Sequence, residues 1–141
     1  MVKKVFSTFI CSVMIFITAV VGVNAQTVNS GDQSIQPYWN YTNYTEQRIY
    51  ISNGQIACEG EVQGYPGTTT KVVINLYLEK KTLFWWSEKD NWSWTYNNYR
   101  GNLVGKTAIP DSGTYRTKAV YTVYSGSSSE TITGYSAELK L

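Results

Sequence analysis

From residue 48 onward the chain alternates apolar and polar positions with period two. In "QIACEGEVQ" Ile56, Cys58 and Val62 fall on one side and Glu59, Glu61 and Gln63 on the other. "KVVINLYLE" repeats the pattern, with Val72, Ile74, Leu76 and Leu78 set against Lys71, Asn75 and Glu79. Side chains on a strand point to opposite faces in turn, so this is the signature of strands with one buried and one wet face. No window carries the three-to-four residue stripe of an amphipathic helix. Breaks fall at Gly64-Tyr65-Pro66-Gly67, at Pro110-Asp111-Ser112-Gly113 and at Ser125-Gly126-Ser127-Ser128, all rich in turn-forming residues. The pattern predicts strands near 48–52, 55–63, 70–79, 82–87, 92–97, 102–108, 114–124 and 130–140. The fold class is all-β: an antiparallel β-sandwich of about 7–8 strands.

The N-terminus follows another rule. Lys3 and Lys4 precede an apolar run from Val5 to Val21, and Val23-Asn24-Ala25 closes it with small residues. This is the layout of an export signal cleaved after Ala25, which makes the mature protein secreted, extracellular or at the cell envelope. Residues 26–47 are polar and without period, and are expected to form a flexible extension ahead of a domain spanning 48–141.

Cleavage changes the charge. Taking Lys3 and Lys4 from twelve basic residues leaves ten against ten acidic ones, with no basic cluster beyond Lys80-Lys81. Nucleic acid is not an indicated partner, nor is a membrane once the signal is gone. Cys58 alone survives cleavage and the chain has no histidine, so the residues expected of a structural zinc site, a Ser-His or Cys-His nucleophile pair, or an intramolecular disulfide are missing. No metal, cofactor or catalytic residue is expected. Glu88, Asp90 and Asn91 could offer oxygens to calcium but read more simply as a solvated turn. A pair of carboxylates could serve a hydrolase, yet a small sandwich offers few walls for a cleft. The protein is expected not to be an enzyme.

"DSGTYRT", Asp111 to Thr117, resembles the D-x-G-x-Y-x-C signature of immunoglobulin domains. The resemblance implies that Tyr115 is a tyrosine corner bonded to the backbone of the preceding loop. It also implies that Cys58 and Thr117 occupy the two positions bridged by a disulfide in that family. Together with "GQIACEGEV", the Lys-Thr-Leu-Phe-Trp-Trp hairpin, "GTYRTKAVY" and "ETITGYSAEL", the chain is similar to small secreted immunoglobulin-like proteins of Gram-positive bacteria that have no assigned activity.

The stretch with functional promise is "LFWWSEKDNWSWTY", residues 83–96, which holds four of five tryptophans. Read as a hairpin around a charged turn, it puts Trp92, Trp94 and Tyr96 on one face, and these are expected in the core. Its first arm is apolar on both faces, with Leu83 and Trp85 opposite Phe84 and Trp86, so one of Trp85 and Trp86 is expected at the surface. The expected function is a secreted binding module for an extracellular protein or surface polymer, with Trp85, Trp86, Tyr77 and Tyr124 as ligand-contacting residues. One alternative is a carbohydrate-binding module that uses two or three of those aromatics as a flat strip. The other is a small secreted toxin or bacteriocin-like effector, which rests only on size and export.

Overall fold

The computed structural model describes residues 39–141; the expected export signal and the first part of the expected extension lie outside them. Eight strands follow in order: β1 (Thr42–Ser52), β2 (Gln55–Gly64), β3 (Lys71–Lys81), β4 (Trp86–Tyr96), β5 (Arg100–Ala108), β6 (Thr114–Ser125), β7 (Ser128–Tyr135) and β8 (Leu139–Lys140). All pairings are antiparallel. One sheet runs β1-β2-β5; the other runs β4-β3-β6-β7, with β8 also on β6. This is an immunoglobulin-like sandwich in which the fourth strand pairs with the third, rather than joining the opposite sheet as in the constant-type domain.

The period-two pattern closes the core as expected. Ile56, Cys58 and Val62 of β2 face Val72, Ile74, Leu76 and Leu78 of β3 and Tyr115, Ala119, Tyr121 and Val123 of β6, all fully or almost fully buried. Two polar struts tie the sheets together through this core. The Thr117 hydroxyl donates to the Arg48 carbonyl at 2.9 Å, and the Tyr121 hydroxyl donates to the Glu46 carbonyl at 2.7 Å. A buried hydroxyl without a partner would cost more than its bond returns, so each strut also selects the register in which its acceptor is present.

Tyr115 is buried and its hydroxyl donates to the Asp111 carbonyl at 2.6 Å, which makes it a tyrosine corner. Cys58 and Thr117 are both buried. Burial pushes the Cys58 thiol up to about 11, which keeps it protonated and unreactive at neutral pH.

Three boundaries differ from the sequence reading. β1 begins at Thr42, within the segment expected to be an extension. The cause is Glu130 of β7, whose carboxylate accepts from the Asn40 and Tyr41 amides at 2.8 Å each and from the Thr42 hydroxyl at 2.7 Å. The last predicted strand is two pieces. Between β7 and β8, Ser136 bends the chain while its amide and hydroxyl take the Thr117 carbonyl and amide, both at 2.9 Å. The largest difference lies in the aromatic hairpin. Residues 82–85 are the turn, and the charged run Glu88-Lys89-Asp90 sits inside the continuous strand β4. Among the described residues β4 is the outermost strand of its sheet, pairs only with β3 and tolerates charges on its wet side. A bulge at Lys89 shifts the register there, so that Asp90 faces Leu78 and Glu88 faces Glu79.

Candidate functional site

The β3–β4 turn is closed by threonine chemistry. Thr82 donates its amide to the Trp85 carbonyl at 2.8 Å and its hydroxyl to the same oxygen at 2.6 Å, while the Trp85 amide donates to that hydroxyl at 3.1 Å. Four backbone and side-chain groups are satisfied within four residues. The turn therefore needs no support from the body of the domain, and its apolar side chains are held outward. Leu83, Phe84 and Trp85 are 91%, 85% and 63% exposed. Phe84 and Trp85 lie against each other with ring centroids 6.3 Å apart. Three consecutive exposed apolar side chains present roughly 400–500 Å² of apolar surface, comparable to the largest patch of an ordinary monomer but concentrated in one protrusion.

The neck below this tip carries two lysine–carboxylate ion pairs. Lys81 pairs with Glu138 at 3.0 Å, and Lys80 pairs with Asp111 at 2.5 Å. The Lys80 ammonium holds the Asp111 carboxyl below its usual range by hydrogen bonding. Both pairs are exposed enough that solvent and salt compete with them.

The other three expected contact residues stand elsewhere. Trp86, Tyr77 and Tyr124 lie on the outer face of the β4-β3-β6-β7 sheet, each with a cation against its ring. The Arg116 guanidinium sits 4.0 Å from the Trp86 centroid and 4.1 Å from that of Tyr135, and its Nε donates to Glu79 at 2.8 Å. Lys118 lies 5.4 Å from Tyr77, and Lys71 lies 3.9 Å from Tyr124. These contacts stabilise the sheet surface. They also occupy ring faces that a sugar would need. In the β3 register Trp86 pairs with Lys81 and Tyr124 with Lys71, which separates them by about 33 Å along the strand. The four residues do not form one strip: Trp85 belongs to the tip, Trp86 to its base, Tyr77 to the middle of the sheet and Tyr124 to its far end.

The second half of the aromatic stretch corrects an expectation. Trp92 and Tyr96 are half-buried and pack against the core, but Trp94, on the same face, is 60% exposed. Trp92 lies on Gly105 and Tyr96 on Gly101, where any Cβ would overlap their rings. Trp94 falls between them, level with Leu103. With a leucine between the two glycines, β5 offers the Trp94 indole no glycine recess like those of its neighbours, and it stays exposed at the rim between β4 and β5.

Beside this rim is a depression lined by Glu61, Tyr96, Asn98, Arg100, Gly101 and Asn102, with a volume of about 310 Å³. The Tyr96 hydroxyl donates to the Asn102 carbonyl, and the Asn102 amide donates to Glu59 at 2.9 Å. Leu83 and Phe84 escaped the sequence reading of contact residues, although the two-faced apolarity of residues 83–86 was the signal that marked them.

The chain matches no protein-family model and no curated protein. Among solved structures it is similar to OgpA from Akkermansia muciniphila, at 12% identity and a TM-score of 0.41 over 72% of this chain, and it spans 31% of OgpA. It is also similar to the CARDB domain of PF1109 from Pyrococcus furiosus, solved in complex with di-metal ions, at 14% identity and a TM-score of 0.40 over 70% of this chain and 91% of that one. CsgH from R. palustris aligns at 18% identity and a TM-score of 0.33 over 68% and 89%. Likenesses at this distance carry nothing about ligand or activity, and the fold stands on the strand pairing itself.

Proposed function

We propose that the protein is a secreted, non-enzymatic binding module whose contact element is the β3–β4 tip. The observation that carries this reading is the exposure of Leu83, Phe84 and Trp85 on a turn held by its own hydrogen bonds. Keeping three large apolar side chains in water forgoes burial that the fold could have used, and a contact partner supplies the missing burial. Export rests on the Lys3-Lys4, apolar run and Val23-Asn24-Ala25 layout. The acceptor is apolar. A flat sugar-binding strip is disfavoured because Trp86, Tyr77 and Tyr124 are spread along the sheet and bear cations.

The test is retention of the mature chain on the surface of the cells that export it. A variant carrying Leu83→Ser, Phe84→Ser and Trp85→Ser is expected to stay in the medium while keeping the wild-type far-ultraviolet spectrum. Equal retention of wild type and a folded variant would remove the tip from the function.

A further inference from the structure

We infer that the β3–β4 tip seats in the interfacial layer of a lipid bilayer carrying anionic headgroups. The inference rests on the reading of the tip as the contact element and names its acceptor.

The first argument is shape. The tip is convex and apolar, since Leu83, Phe84 and Trp85 are all exposed on the bend that joins β3 to β4, with the Phe84 and Trp85 rings side by side. A protein groove covers such a protrusion only where the groove has been shaped to it, whereas the acyl region beneath the headgroups surrounds whatever enters. The tip's roughly 400–500 Å² is also about half of what one partner contributes to a standard protein interface.

The second argument is placement. The Thr117–Arg48 and Tyr121–Glu46 struts together with the pairing of Lys80 with Tyr115 fix which turns share an end of the sandwich. By these registers the β1–β2 turn, the β3–β4 turn and the loop after β5 lie at the same end. Ile51 and Ile109, at 43% and 45% exposure, flank the first and last of these, so the tip is one of several exposed apolar points on one pole.

Charge at that pole is the third argument. Lys80, Lys81, Lys89, Lys106, Arg116 and Lys140 lie there with the acids Glu79, Glu88, Asp111 and Glu138, six cations to four anions, with Lys80, Lys81 and Arg116 paired to Asp111, Glu138 and Glu79. The mature chain is balanced as a whole, which is why its composition does not point to a membrane, but the lysines are concentrated behind the tip. Trp85 at the base of the inserting residues, with lysines one layer back, matches the depth order of a headgroup region, where amphipathic rings sit at the boundary and ammonium groups reach phosphate.

Vesicle sedimentation tests this. With vesicles of phosphatidylglycerol and phosphatidylcholine, the mature chain is expected to co-sediment, and its tryptophan emission to shift to shorter wavelength and be quenched by brominated acyl chains. Trp85→Phe should lose most of the quenching, and the triple serine variant should partition at least about tenfold more weakly. Raising salt to about 0.5 M should weaken binding towards the level seen with phosphatidylcholine alone.

Absence of wild-type binding to either vesicle, or equal binding by the folded triple variant, overturns the inference. If vesicles fail while cells retain the protein through the tip, and protease treatment of the cells abolishes retention, the acceptor is a protein and only the lipid assignment falls. If the tip variant instead abolishes self-association, the acceptor is a second copy and the lipid assignment falls likewise. If cells retain the triple variant as well, the tip itself is not the contact.

Discussion

Trp92 and Trp85 come from the same aromatic stretch and meet opposite fates. Trp92 projects inward from β4 and finds Gly105 opposite, a position without a side chain, so its indole lies flat against the other sheet. Trp85 closes the β3–β4 turn, outside either strand, and its ring stays largely in water beside Phe84. The residue type is the same, and hydrophobicity cannot distinguish them. What differs is whether the opposing layer has made room. A large aromatic ring is buried only where another strand yields volume, and β5 yields it twice, at Gly105 for Trp92 and at Gly101 for Tyr96.

This contrast can be broken from the core side first. Gly105→Val places a branched side chain where the Trp92 indole lies and should cost about 3 kcal/mol, the upper part of the range for overpacking a fitted site. Urea denaturation measures it. A cost below about 1 kcal/mol would mean that the indole moves freely, and that Trp92 is not seated differently from Trp85.

Trp94 lies between the two extremes and shows how far the sequence can be read. The alternation Trp92, Trp94, Tyr96 correctly assigned a face, because period two is enforced by the backbone. It could not assign depth. Depth is set by the opposing residue, and the Gly101, Leu103, Gly105 series on β5 was the signal that would have separated Trp94 from its neighbours. The Tyr115 corner was legible for the opposite reason: its partner, the Asp111 carbonyl, is four residues away, so local sequence contains both halves of the bond.

The β3–β4 turn was misplaced because both of its local signals are inverted. Apolar residues occupy the turn and charged ones occupy a strand, which edge position permits and function can favour. Truncating Trp94 tests the depth argument. Trp94→Ala should cost about 1 kcal/mol, well below the 3–5 kcal/mol typical of a core tryptophan, because most of the ring is already hydrated in the folded state. A core-sized loss in chemical denaturation would show that the rim closes over Trp94 in solution.

The smallest expected effect is the most informative about the tip. A side chain stabilises a fold through the apolar surface that it removes from water relative to the unfolded chain. Leu83 and Phe84 remove almost none, and Trp85 removes a minor part of its surface. The turn is held instead by the Thr82 hydroxyl and amide, which substitution of the three apolar residues leaves in place. The triple serine variant should therefore match wild type within about 0.5 kcal/mol in urea, as ordinary surface changes do. Thr82→Ala, which removes the hydroxyl from both of its bonds, should cost more than the three apolar replacements together, at about 1 kcal/mol. The opposite order would mean that Leu83, Phe84 and Trp85 hold the turn together, and their exposure would then be the consequence of a structural role rather than the mark of a contact surface.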